Sequence, residues 1–182
     1  MNRAGVLTLC TVALSAAGCG SSAPSGVSPG AYVKSVCTSL RTWYDGVNAA
    51  SSRLQRTAAA ATSLLTGKQE YQAFVGSLLA GTKQATTQLE AAGVPAVSDG
   101  KQISASIVQA FRQADTGLSS AAVQAANIPT SSAAAYQAGA GGVTAAINSS
   151  LAGMTSLSPR KDPQLHAVAA KEPACQALKT GA

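Results

Sequence analysis

From Val33 onward an apolar residue returns at every seventh position: Val33, Leu40, Val47, Leu54 and Ala61. A second line, Val36, Trp43, Ala50 and Leu64, keeps the same spacing. Such a repeat lines one side of an α-helix and has no counterpart in the two-residue period of a strand. Composition points the same way. Aromatic residues make up 4% of the chain and charged residues 11%. There is little β-branched or aromatic alternation to build strands, whereas Ala, Leu, Gln and Lys favour helix.

The spacing and the punctuation predict four long helices. The first opens at Ser28-Pro29 and runs to Gly67. The second covers Lys68 to Ala92, with Tyr71, Val75, Leu78, Ala85 and Leu89 on one face, and Gly93 and Pro95 end it. The third starts after Ser98-Asp99, either of which suits a cap, buries Ile103, Ile107, Ala114 and Leu118 beside Phe111, and stops at Pro129. The fourth opens at Thr130 or Ser131, carries Tyr136, Val143, Ile147, Leu151, Met154 and Leu157, and ends at Ser158-Pro159. Gly139, Gly141 and Gly142 weaken its first half and mark either a kink or a close approach of another helix. A short tail follows, with Asp162-Pro163 as cap and first turn, Leu165 and Val168 as its apolar face, and Pro173 interrupting it. The expected fold is all-α: an antiparallel four-helix bundle with a short C-terminal helical tail.

The first residues read as an export signal. Arg3 precedes an apolar run, Val6 to Ala17, that is too short to span a bilayer comfortably and is followed by small residues. Ala16-Ala17-Gly18-Cys19 resembles a bacterial lipobox, with Ala16 where Leu is usual. That resemblance implies cleavage before Cys19 and a diacylglyceryl thioether with palmitate-type acyl chains on its sulfur. Ordinary cleavage after Ala17 is the competing reading. The expected organisation is residues 1–18 as lipoprotein signal peptide, 19–29 as a Gly-, Ser- and Pro-rich flexible tether, and 30–182 as the helical bundle domain.

Of the four cysteines, Cys10 falls in the signal and Cys19 at the cleavage point, which leaves Cys37 and Cys175. An even pair in an exported chain favours a disulfide, here tying the tail to the first helix; two separate buried thiols are the alternative. The pair is too isolated for a metal site, and the chain has one histidine.

"YVKSVCTSLRTWYDGV", "LEAAGVPAVSDGKQI" and "EPACQAL" together resemble a group of small, Ala-rich exported lipoproteins of high-GC Gram-positive, actinobacterial bacteria. The match spans Ala31 to Leu178. It implies a helical protein on the outer face of the cytoplasmic membrane, held there by lipid, and brings no activity with it.

The chemical inventory points away from an enzyme. The seven carboxylates are scattered, and His166 stands four residues after Asp162 on one short helix, with no serine in a nucleophile-elbow pattern. No phosphate loop, metal set or cofactor motif is present in the sequence. The formal charge is +6, and Arg3 leaves with the signal. An exported chain without a basic cluster interleaved with aromatics does not suit nucleic acid. A basic surface suits anionic lipid or wall polymer. Tyr32, Trp43 and Tyr44 form the one aromatic concentration. It reads either as core packing or as the wall of a ligand pocket. Two functions follow: an interaction module that binds an envelope protein or polymer, or a carrier that holds an apolar small molecule or lipid between thin helices.

Overall fold

The computed structural model describes residues 26–155 and 162–180. Six helices follow one another: α1 (Pro29–Ala59), α2 (Leu64–Ala91), α3 (Gly100–Ala126), α4 (Ala133–Thr155), α5 (Pro163–Ala169) and α6 (Pro173–Thr180). The first four form an antiparallel bundle in which neighbours in sequence are neighbours in space, and α5 and α6 pack on α1. Cys37 and Cys175 are joined, with their Cα atoms 5.0 Å apart and a sequence separation of 138. The bond fastens the tail to the first helix. Residues 1–25, including Cys10 and Cys19, and Leu157 and Ser158-Pro159 lie outside the described residues.

The start of α1 is as expected: Ser28 Oγ accepts from the Ala31 amide at 3.3 Å, and Pro29 occupies the first turn. Its end is not. α1 stops at Ala59, and Ser63 opens α2 by accepting from the Thr66 amide at 3.1 Å. Gly67 therefore lies in the first turn of α2 and not at a helix end. It is buried beneath Tyr136, whose hydroxyl would lie 2.6 Å from any added Cβ. At α3, Asp99 holds the cap position without a side-chain bond. At α4, Ser132 accepts from the Ala135 amide at 3.2 Å, so the cap falls one residue after the expected pair. Of the three glycines in the first half of α4, Gly139 is closely approached, not by another helix but by the α3–α4 connection, with Pro129 Cδ 2.8 Å from where its Cβ would stand, while Gly141 and Gly142 face open space. Pro173, read as an interruption, occupies the first turn of α6.

Two apolar clusters stack along the bundle. One joins Tyr32, Val33 and Val36 of α1, Leu89 of α2 and Phe111 of α3 to Leu165 and Cys175 of the tail. The other joins Val75 and Leu78 of α2 and Leu118 of α3 to Val143 and Ile147 of α4. The tail thus completes the core at one end of the bundle and α4 completes it at the other.

Before α1, Gly26 to Ser28 is already docked. The Val27 amide donates to the Val94 carbonyl, and the Ala96 amide donates to the Val27 carbonyl, both at 2.8 Å. The expected tether, 19–29, is therefore packed against the α2–α3 turn from Gly26 onward.

Candidate functional site: the groove between the first two helices

α1 and α2 are both amphipathic, and their outward-facing seam carries small residues. Gly46 has nothing within 4 Å of a notional Cβ, and at Gly81 the one neighbour is Trp43 Cδ1 at 3.9 Å. Without side chains at these two positions the helices leave an open hollow of about 230 Å³, bordered by Trp43, Val47, Leu78, Gln84 and Gln88. A second, shallower hollow of about 390 Å³ continues it along the same seam, shares Thr42 and Gln88 with it, and ends at Lys34 and Ala92. In the other direction Ser77 joins it to a small recess beside Arg53 and Glu70.

Trp43 is the fixed point of this groove. Its indole Nε1 donates to Thr82 Oγ1 at 3.0 Å, and Thr82 is fully buried. Its ring meets Phe111 edge to face at 5.5 Å and 75°. One part of the indole is thus locked in the core and another borders the groove. The bond to Thr82 satisfies a polar group that is otherwise costly to bury. Thr82 was not legible as a partner, because a threonine on an apolar helix face gives no sign of which donor will reach it.

The three aromatic residues do not come together as one wall. Tyr32 is buried among Val33, Leu89 and Phe111, and is hydrogen-bonded with Ser104, whose hydroxyl donates to the Gly93 carbonyl at 2.8 Å. Burial raises the Tyr32 pKa above the ordinary tyrosine value, and the bond to Ser104 opposes that rise. Tyr44 points outward, 37% exposed. Trp43 alone borders the groove.

Other reactive groups are dispersed. His166 is exposed on α5, and the Asp162 carboxylate beside it is engaged as a cap for the Gln164 and Leu165 amides. Asp115 Oδ1 is buried without a hydrogen-bond partner. Among the described residues, no three of His, Cys, Asp and Glu gather as a metal site, and no helix is long and apolar enough to cross a membrane. No protein-family model, curated protein or solved structure matches this chain.

Proposed function

We propose that this protein is a lipid-anchored, non-enzymatic module of the bacterial cell envelope. Cys19 carries the anchor on the outer face of the cytoplasmic membrane, and the α1–α2 groove receives part of an envelope protein or polymer. Export rests on the apolar run ending in Ala17-Gly18-Cys19 and on the resemblance to exported actinobacterial lipoproteins. The Cys37–Cys175 bond is consistent with an oxidising compartment. The observation that carries the binding role is the open seam at Gly46 and Gly81 above a rigidly held Trp43.

The carrier reading is weaker by the same geometry. A carrier needs an enclosed apolar cavity. At Trp43 the space is an open groove edged by Gln84 and Gln88, and Phe111, which meets the Trp43 ring on its core side, is packed at 0% exposure.

The test is a substitution that fills the groove and spares the fold. Gly46→Leu meets open space, and replacing a mid-helix glycine raises stability by roughly 0.5–1 kcal/mol. A photo-crosslinker at Gln84 in the native host should capture a partner in the parent chain and lose it in Gly46→Leu. The same probe at Gln113, exposed on α3, should capture nothing in either. Equal capture at Gln84 in the parent and in the stable Gly46→Leu variant would contradict the assignment.

A further inference from the structure

The point at which the chain leaves the bundle is fixed, and it lies at one end of the long axis. Val27 makes a two-bond parallel bridge with the 94–96 segment. Gly26 lies so close that an added Cβ would stand 2.7 Å from the Val94 carbonyl oxygen. At Gly93, with φ +77°, an added Cβ would stand 3.0 Å from a Val27 methyl, and the Ser104 hydroxyl donates to the Gly93 carbonyl from α3. This end also holds the tail, through Leu165 and the Cys37–Cys175 bond. α1 then runs 31 residues away from it, about 46 Å at the ordinary helical rise. α2 returns antiparallel, so Lys34 shares a hollow with Ala92, and Arg53 shares one with Glu70 at the far end.

The far end carries surplus positive charge. Arg53 and Arg56 are exposed in the last two turns of α1, and Lys68 is half-exposed in the second turn of α2. Among the described residues of these turns, Glu70 is the acidic one. From Cys19 to Gly26 the chain spans at most about 25 Å even when fully extended. This is shorter than the bundle, so an anchor at Cys19 keeps the strapped end near the lipid, and with the bundle upright Arg53 and Arg56 stand up to about 40 Å further out. Charge interactions are screened over about 8 Å at physiological ionic strength. Cations that far from the headgroups do not hold the bundle to the bilayer.

We infer that the Gly26–Val27 strap orients the bundle with the α2–α3 turn toward the membrane, so that Arg53, Arg56 and Lys68 form an outward surface for an anionic envelope polymer. The orientation rests on the proposed anchor at Cys19; the polymer surface does not.

Lysine acylation, read by mass spectrometry on the lipidated full chain in phosphatidylglycerol-containing vesicles, tests both parts. Relative to unlipidated Cys19→Ala protein, Lys101 at the strapped end should react at least about threefold more slowly, and Lys68 should be unchanged. Equal slowing at both lysines would overturn the orientation. Failure of the lipidated chain to stay with vesicles would overturn the anchor and the orientation with it. In a separate arm, polyphosphate added to Cys19→Ala protein should slow acylation of Lys68 several-fold and leave Lys101 unchanged. That protection should vanish in about 1 M salt and in Arg53→Gln/Arg56→Gln. No protection of Lys68, or equal protection of Lys101, would overturn the polymer surface whatever the anchor does. Slowing of Lys68 by vesicles in place of polyphosphate would assign these cations to the lipid surface and also overturn it.

Discussion

At the residue scale, Tyr32 links chemistry to stability. Its phenol is buried between α1 and α3, and burial lifts its pKa above the ordinary value of 10.0. The unfolded chain therefore loses this proton at lower pH than the folded one. Between the unfolded and folded pKa values the native state binds more protons, so stability falls as pH rises. Stability should accordingly decline above about pH 10. Denaturant unfolding across that range should show a shallower decline in Tyr32→Phe; an unchanged slope would mean that the phenol does not titrate differently on folding. Tyr136, also raised by burial, acts in the same direction. The aromatic concentration at Tyr32, Trp43 and Tyr44 was visible in the sequence, but its partition was not. On one helix, whether a ring meets the core, a groove or water depends on neighbours supplied by α2 and α3. The glycines of "AAGVPAVSDG" are similar. Gly93 was legible as a helix stop, but the close approach of the Pro95 carbonyl to Gly100, which leaves no room for a Cβ, depends on the loop path.

At the element scale, apolar spacing marked the inner faces of the helices, since burial of one stripe is what makes such helices stable, but Ala61 and Leu64 of the first heptad lines fall beyond the end of α1. Val33, Val36, Val75, Leu78, Leu89, Leu118 and Ile147 are all buried. Boundaries were harder to read. Gly67 resembles a helix C-terminus, but it is small because Tyr136 crosses it. The signal that sets the break is Ser63, which caps α2 through the Thr66 amide and also pairs with the Thr66 hydroxyl at 2.9 Å. Ser63→Ala should lower stability by about 1 kcal/mol, mostly by fraying the first turn of α2. Thermal unfolding together with amide exchange of Thr66 checks this; a loss spread evenly along α2 would argue against a local capping role.

At the scale of the whole molecule, the bundle is closed by a covalent bond across nearly its entire sequence. The tail contributes few buried groups, Leu165 and Cys175 among them, and would dock weakly alone. The bond constrains the unfolded chain over a long loop, and in the chain-entropy view this contributes on the order of 4–5 kcal/mol. Cys175→Ser should therefore lower unfolding free energy by roughly 2–5 kcal/mol. It should also speed amide exchange in α5 and α6 well before α1 to α4 respond. Exchange that rises equally in all six helices would show that the tail is integral to the bundle without its staple.

The proposed anchor and orientation both depend on what the mature chain carries at its N-terminus. Intact-mass spectrometry of the protein from membranes of its own host reads this directly. A lipid-anchored protein should begin at Cys19, be heavier than its sequence by a diacylglyceryl group with its two acyl chains, and be lighter by two hydrogens for Cys37–Cys175. A chain beginning at Gly18 with an unmodified Cys19, recovered from the medium, would contradict the anchor.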